Sequence, residues 1–316
     1  MHQEKIAPAP GRTIHLAVVP KSVGLQFWEQ VHQGADCAAS QLPDVKITWN
    51  GVTDEADIVG QINMLQNYSA RGLNGLVYAA TDAQALAEVS QTAVNGGLKV
   101  VNVDSGTTPQ PPQVPVVATD NVAAATKVAD LLAQAIGPKG GDIAFVRFHQ
   151  GSQTDTQREQ GFKKGLKRHP ELKLVATQSS QSDANVGLAV TENILTAHPN
   201  LAGIFAANES GVVGAVEALR RVGKAHKVAV VGWDASPDEI DSLRLGIVSA
   251  LVAQNPFRMG YQGVADVVAE IRDNAQPKSV DTGAVYATKE NMDTPNVHAI
   301  LFPRCGDPLS EGKAAR

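Results

Sequence analysis

Short apolar segments alternate with longer segments of helical periodicity along almost the whole chain. The apolar segments of the first half are rich in Val, Ile and Leu, and they lie at 14–19, 45–49, 73–78, 98–103 and 114–118. Consecutive apolar positions are typical of parallel strands that are buried on both faces. Between the first two segments, Phe27, Val31 and Ala35 recur every four residues, which predicts an amphipathic helix. The alternation therefore predicts βα units with helical crossovers.

The same alternation starts again after Asp120 and Asn121, which suit the cap of a helix that stops at Gly137. In this second half, apolar segments lie at 142–148, 172–177, 201–206, 228–231, 247–252 and 282–287, and helical segments lie at 158–168, 186–197, 212–221 and 256–271. Two halves of similar content predict an α/β protein made of two doubly wound domains.

Composition and charge narrow the class of protein. The 316 residues are 43% hydrophobic and 19% charged, which is typical of a globular chain. The net charge is -5 and no long run of Lys and Arg occurs, so nucleic acid is not an expected partner. Cys37 and Cys305 lie nearly the whole chain apart, and their spacing indicates neither a disulfide framework nor a metal site.

Targeting signals are not recognisable in the sequence. No apolar run reaches 18 residues, and residues 1–12 contain no apolar segment of the kind found in signal peptides. The Met-His start is compatible with an export signal that has been removed, so this pattern does not assign the protein to the cytoplasm.

Polar side chains follow the ends of the apolar segments. In open parallel sheets, ligands bind outside the carboxyl ends of the strands. The positions at these ends are Lys21, Asp82, Asp104, Ser105, His149, Asn208, Glu209, Trp233, Asp234, Gln254 and Asn255. We assign Asp82 and Asp120 to helix caps, because an Asp after a strand commonly has that role. The remaining carboxylates and amides, together with the aromatic pair Phe27 and Trp28, suit a ligand with many hydroxyl groups.

Signatures of catalysis are missing from the sequence. It contains no GxSxG, no HExxH, no Walker loop ending in GK[ST], and no GxGxxG after the first strand. The glycine-rich segment at 137–141 precedes a strand and is interpreted as a turn. We therefore expect a binding protein without cofactor or metal, and an α/β enzyme acting on a small carbohydrate is the alternative.

Several ordered motifs resemble those of the ribose-type periplasmic sugar-binding proteins, which are type I solute-binding proteins of ABC importers. The resemblance extends from about Thr13 to Ala287, and it is carried by TIHLAVVPKSVGLQFWEQVHQGA, LNGLVYAATDAQAL, VVNVDSG, ATDNVAAA, REQGFKKGL, NILTAHPNLAGIFAANE, VAVVGWDASPDEI and ALVAQNPFRMGYQGV. The resemblance implies two doubly wound Rossmann-like domains, joined by a three-strand hinge, that close over a sugar.

The resemblance also implies a division of the chain. The N-terminal lobe is expected to comprise 13–118 plus 254–282, and the C-terminal lobe 119–253 plus 283–302. The tails at 1–12 and 303–316 are expected to be disordered. The implied protein is an exported, extracytoplasmic and monomeric one. Its implied partners are a monosaccharide or polyol and an ABC transporter permease.

Site residues transfer from the family position by position. The sugar-clamping arginine of the family matches Arg158, and its first-domain carboxylate matches Asp104. The complete set of expected ligand-binding residues is Lys21, Phe27, Trp28, Asp104, Ser105, His149, Arg158, Asn208, Trp233, Asp234 and Gln254. Ser105 and Ala79 depart from the family, because ribose-type proteins have an arginine and an asparagine at these positions. These two differences favour a sugar or polyol other than ribose as the ligand.

A second family shares shorter motifs with the chain. PKSVG, the VDS at Asp104 and the TDTQ around Asp155 resemble the binding protein for the furanosyl signal autoinducer-2. Arg158, Asn208 and Gln254 instead match the residues that the sugar-binding proteins have at these positions. The furanosyl signal is thus the alternative ligand.

Overall fold

The computed structural model describes residues 13–312. Its elements alternate between strand and helix over most of the chain, as the apolar pattern predicts. In chain order they are β1 (Ile14–Val19), α1 (Gln26–Ser40), β2 (Val45–Trp49), α2 (Ile58–Ala70), β3 (Gly75–Tyr78), α3 (Ala87–Asn95), β4 (Lys99–Val103), β5 (Val116–Ala118), α4 (Asn121–Ile136), β6 (Gly141–Arg147), α5 (Gln153–Leu166), β7 (Leu172–Ser179), α6 (Ala184–Ala197), β8 (Gly203–Ala206), α7 (Glu209–Arg221), β9 (Ala229–Trp233), α8 (Pro237–Arg244), β10 (Ala250–Gln254), α9 (Pro256–Asp273), β11 (Val280–Asp281), β12 (Ala284–Ala287) and α10 (Pro295–Leu301).

The strands form two sheets of six strands each. The first has the order β2-β1-β3-β4-β5-β11 and is parallel throughout, and the second has the order β7-β6-β8-β9-β10-β12, in which β12 is antiparallel to β10. In both sheets the strand order reverses after the second strand, at β1/β3 and β6/β8, which is the position where doubly wound sheets bind ligands. The predicted fold class of two doubly wound α/β domains is confirmed.

Each sheet is covered by helices on both faces. In the first sheet, Leu16 and Val18 of β1 contact the cluster formed with α1 and α9, while Ala17 and Val19 contact the cluster formed with α2 and α3. Because successive side chains of a strand point to opposite faces, both sets are buried, and the strand has no polar face. This explains the runs of consecutive apolar residues in the sequence.

The chain passes between the two sheets three times: after β5, after β10, and between β11 and β12. Helix α9 follows a strand of the second sheet but packs on α1 and on the first sheet. We keep the expected division of the chain as our definition of the N-terminal and C-terminal lobes. The polar residues at the strand ends of both lobes face one another between them.

The segment after α10 corrects two expectations. Residues 303–312 were expected to be disordered, but Cys305 forms a disulfide with Cys37 of α1, and the side chain of Ser310 is buried and donates to the backbone oxygen of Ala299. The expectation that the two cysteines form no disulfide is therefore wrong as well. They are 268 positions apart, and only the return of the tail to α1 brings them together. The expected tails at 1–12 and 313–316 lie outside the described residues.

The described helices and side-chain clusters bear on membrane insertion and on metal binding. From 13 to 312, none of the helices has the length and apolar character that a membrane crossing needs. In that range, the group of side chains spaced for a metal ion consists of Cys37, Cys305 and Glu311, and its two sulfurs form the disulfide.

Candidate ligand-binding site

A cavity with about 310 Å³ of empty space lies between the two lobes, at the carboxyl ends of the strands. Its lining combines charged, amide and aromatic side chains from both lobes. The lining residues are Lys21, Leu25, Phe27, Trp28, Glu55, Asp104, Phe148, Thr154, Arg158, Asn208, Glu209, Asp234 and Gln254. Eight of the eleven expected site residues are among them. Their role in binding stays a prediction.

Lys21 and Asp104 form a buried ion pair on the N-terminal side of the cavity. Lys21 follows β1 and Asp104 follows β4, where a positive φ of 60° turns the chain away from the sheet. The lysine Nζ lies 2.8 Å from Oδ2 of Asp104, and it also donates to the hydroxyl groups of Ser152 and Thr154 in the C-terminal lobe at 3.1 and 3.0 Å. Lys21 thus supplies a cation beside Asp104 and contacts both lobes.

Arg158 extends from α5 into the centre of the cavity. Its Nε donates to the side-chain oxygen of Asn121 at 2.8 Å, and its Nη1 donates to the backbone oxygen of Ala207 at 2.7 Å. The guanidinium lies 4.3 Å from the ring centre of Trp233, and its Nη2 is 3.9 Å from Oδ1 of Asp104. Burial lowers the pKa of Arg158, and the nearby carboxylates oppose this effect. The arginine is held rigidly with one edge facing the cavity.

Asp234 and Asn208 lie on the C-terminal side of the cavity, and Gln254 lies beside them at the end of β10, where the chain passes between the lobes. Asp234 accepts a hydrogen bond from Nε2 of Gln254 at 2.8 Å and another from the backbone N–H of Glu209 at 3.1 Å. Burial raises the pKa of Asp234, and Arg158 opposes this increase. Oε1 of Gln254 is buried and has no hydrogen-bond partner within residues 13–312. An acceptor is thus available to a ligand hydroxyl.

Three aromatic rings complete the lining. Phe27 and Trp28 begin α1 and contact each other edge to face, with ring centres 4.7 Å apart. Phe148 follows β6 in the opposite lobe, and its ring centre lies 5.0 Å from the Arg158 guanidinium. Aromatic faces of this kind can cover the C–H surfaces of a sugar ring.

Three of the expected site residues lie outside the lining. The hydroxyl of Ser105 donates to the backbone oxygen of Ala80 at 3.0 Å and joins the ends of β3 and β4. Trp233 belongs to the core of the C-terminal lobe, where it packs against Arg158. His149 comes one position after Phe148, and Phe148 lines the cavity in its place. Asp120 caps α4 by accepting from the N–H of Ala123, as expected.

The expected binding set lacks five of the lining residues: Leu25, Glu55, Phe148, Thr154 and Glu209. Glu209 accepts hydrogen bonds from the backbone N–H groups of Gln26 and Phe27 at 3.1 and 2.9 Å, and burial raises its pKa to about 7. It follows Asn208 directly and is one of the polar strand-end positions of the sequence, but the expected binding set did not include it. Glu55 lies in a polar loop and carries no comparable signal.

The charges of the lining limit the kind of ligand. Four carboxyl groups, those of Glu55, Asp104, Glu209 and Asp234, are accompanied by two cations, Lys21 and Arg158. An anionic ligand would bring a further negative charge into a buried site that already has more acids than bases. A neutral molecule with several hydroxyl groups can instead donate to the carboxylates and accept from the cations.

Comparison with known proteins places the chain among solute-binding proteins. The family model described as periplasmic binding protein domain matches residues 16–275. The D-ribose/D-allose-binding protein of Pseudomonas aeruginosa is 32% identical over 286 residues, which cover 89% of this chain and 89% of that protein.

Solved structures of similar proteins contain sugars. A carbohydrate transporter solute-binding protein from Agrobacterium radiobacter in complex with D-arabinose has a TM-score of 0.88 and 30% identity, covering 92% of this chain and 99% of its own. An ABC transporter solute-binding protein from Agrobacterium vitis with bound D-fucose has a TM-score of 0.87 and 31% identity, covering 91% of this chain and all of its own, at 100%.

Proposed function

Because the chain belongs to the periplasmic binding protein family, we propose that it binds a monosaccharide or polyol between its lobes as the substrate-binding component of an ABC importer. Its relatives are named for sugars and for solute binding, and they are binding proteins and not enzymes. We infer that the protein acts outside the cytoplasm and that its protein partner is a transporter permease. The family relationship argues against the enzymatic alternative.

The chemistry of the cavity supports this assignment. The observation that carries it is the buried group of Asp104, Lys21 and Arg158, in which two cations face one carboxylate beside aromatic rings. Asp104 can accept from adjacent hydroxyl groups of a sugar while the cations donate to neighbouring oxygens, and such charge-assisted hydrogen bonds are stronger than neutral ones. Asn208 and Asp234 approach from the other lobe, and Gln254 lies where the chain passes between the lobes, so a bound sugar would contact both lobes.

A sugar that contacts both lobes stabilises the closed arrangement. Without a ligand, closing buries four carboxyl groups beside only two cations, and the open arrangement leaves them in water. Differential affinity for the closed form is the condition for a ligand to shift the equilibrium toward closure. We therefore assign hinge closure around the sugar to the three chain passages between the lobes.

The decisive experiment is calorimetry with a defined panel. The protein is unfolded and refolded to remove any sugar retained from its host, and it is then titrated with D-ribose, D-allose, D-arabinose, D-fucose, myo-inositol and autoinducer-2. We expect saturable binding of at least one pentose, hexose or polyol, and weak or no binding of the matching sugar phosphates. Exclusive binding of the furanosyl signal would favour the alternative ligand, and turnover of any panel member without stable binding would overturn the proposal.

The substitution Asp104→Asn tests the site itself. Asparagine keeps the size of the side chain and tolerates the positive φ, but it removes the charge that faces Lys21. We expect about tenfold or greater loss of affinity for the sugar that binds, because hydrogen bonds to charged groups are worth about 1.5–3 kcal/mol. Asp130→Asn, which removes a carboxylate paired with Arg168 on the surface of α4, is the control and should bind normally. Equal affinities of the two variants would contradict the role of Asp104.

A further inference from the structure

Helix α1 begins without a capping side chain of its own. Its N-cap residue is Leu25, which has no polar side-chain atom, and the N–H groups of Trp28 and Glu29 turn back to the oxygen of Leu25. The N–H groups of Gln26 and Phe27 are left for a partner outside the helix, since the first donors of any helix lack partners within it. These two donors lie at the mouth of the cavity, beside the aromatic pair.

The partner comes from the opposite lobe. Oε1 of Glu209 accepts from Gln26 at 3.1 Å, and Oε2 accepts from Phe27 at 2.9 Å, so one carboxyl group serves both donors. Glu209 is the first residue of α7, which is already capped by Asn208 through the N–H of Gly211. The carboxyl group of Glu209 is therefore free to act across the cleft, and only 9% of the residue is exposed.

We propose that Glu209 is a positioning residue for ligand binding, which caps α1 across the cleft and thereby holds the lobes closed over the sugar. This proposal rests on the proposed function, because it assigns a role within lobe closure. Opening the cleft breaks both hydrogen bonds and returns the two donors to water. Glu209 thus acts mainly on the rate at which a bound sugar leaves, and it also fixes the start of the helix that carries Phe27 and Trp28.

The donor side of this contact is the backbone of α1, and one of its two N–H groups can be removed by substitution with proline. Gln26 is the first residue of α1, a position where proline is well tolerated because its N–H has no partner within the helix. Leu25 has φ of -87° and ψ of 141°, an extended conformation that suits the residue before a proline. Gln26→Pro therefore deletes one donor of the contact while leaving the helix intact, and Gln26→Ala controls for the lost side chain.

The test compares dissociation rates of the panel sugar that binds the unaltered protein most tightly. Glu209→Ala should raise the off-rate about tenfold, with little change in the on-rate, because hydrogen bonds to a buried acceptor are lost. Glu209→Gln, which keeps one acceptor oxygen, should lie in between. Glu217→Ala on the exposed side of α7 is the matched control and should behave as the unaltered protein. Combining Glu209→Ala with Gln26→Pro should add little to Glu209→Ala.

Each outcome separates the proposal from the function on which it rests. If no panel sugar binds the unaltered protein, the proposed function fails, and the contact is then judged on amide hydrogen exchange at Phe27, which Glu209→Ala should accelerate because this N–H loses its acceptor whenever the sugar-free cleft is closed. If sugars bind and Glu209→Ala dissociates them at the unaltered rate, the function stands and the capping role is overturned. Full additivity of the two substitutions would also overturn it, since independent effects would mean that the two groups do not act on one another.

Discussion

The carboxyl group of Glu209 is the point at which pH acts on the closed cleft. Burial raises its pKa to about 7 from an ordinary value of 4.5, and the bonds from the α1 N–H groups only partly oppose this increase. The negative charges of Asp234 and Asp238 also raise the pKa of Glu209. Glu239 of α8 is a further buried acid, and its own pKa is raised in part by the charge of Glu209. A group whose pKa is raised on closing binds its proton more tightly in the closed form. Closure is then favoured at low pH and becomes less favourable as pH rises toward 7.

Sugar affinity should therefore fall as pH rises from about 4.5 to 7 and should level off at higher pH. A difference of one pKa unit corresponds to about 1.4 kcal/mol, so a tenfold or greater change is expected over this range. Glu209→Gln cannot titrate and should flatten most of this dependence, while Glu217→Gln should keep it. Titration calorimetry at a series of pH values measures the effect. An identical slope in Glu209→Gln and in the unaltered protein would assign the dependence to another group.

Strand ends mark most of the expected residues that the structure brings to the cavity, and their role in binding stays a prediction. Asp104, Asn208, Asp234 and Gln254 each follow or end a buried strand, and the structure brings all four to one cavity. The same rule selected Ser105 and His149, because position along the chain does not tell which neighbour turns toward the cleft. Asp104 has a positive φ, and the turn directs Ser105 to the backbone oxygen of Ala80 instead. Such local turns depend on backbone geometry that a residue pattern does not contain.

The crossing of α1 and α9 determines where the aromatic pair of the cavity lies. Gly34 of α1 faces the backbone oxygen of Phe257, and Gly260 of α9 faces the backbone oxygen of Val31. A Cβ atom at either glycine would overlap that oxygen, so the two helices pack backbone to backbone. Because α9 follows the last strand before a passage between lobes, this close contact fixes α1 relative to the hinge.

Gly34→Ala and Gly260→Ala should each destabilise the protein by about 1–3 kcal/mol, the usual cost of extra volume in a well-packed contact. This cost exceeds the gain of up to about 1 kcal/mol that alanine offers in a helix interior. Gly187→Ala in α6, where the backbone oxygen of Ser210 would lie 3.2 Å from the new Cβ and not 1.9 Å, is the milder comparison and should cost less. Thermal unfolding measures all three. Equal stability of Gly34→Ala and the unaltered protein would show that α1 shifts at no cost.

Long elements were predictable because burial on both faces leaves a strong pattern in the sequence. Short ones were not. The strand expected at 282–287 is present as β12, but the two-residue strand β11 just before it, which joins the other sheet, was not predicted; Gly283 at a positive φ of 75° lies between them. Helix α10 has seven residues and is held mainly by Val297 and Leu301 packing against the C-terminal lobe. Tertiary contacts, and not local periodicity, define such elements.

At the scale of the whole molecule, the tail after α10 adds a connection between the lobes. Helix α10 packs on the C-terminal lobe, whereas Cys305 is bonded to Cys37 of α1 in the N-terminal lobe. Glu311 adds to this contact by accepting from the side chain of Gln41 at the end of α1. Four residue steps separate Leu301 from Cys305, and a chain of that length spans at most about 14 Å. The end of α1 therefore cannot move far from the end of α10.

The disulfide should limit how far the lobes open. Replacing both cysteines with serine should raise the radius of gyration of the sugar-free protein, measured by X-ray scattering. The radius of the sugar-bound protein should not change, because the disulfide-linked tail restrains the lobes only when they move apart. Reductant should have the same effect on the unaltered protein and none on the serine variant, which serves as its control. The variant should also melt at a lower temperature, since a cross-link over so long a loop typically contributes about 2–4 kcal/mol. A lower melting temperature with an unchanged sugar-free radius would show that the disulfide stabilises the fold without restraining the opening.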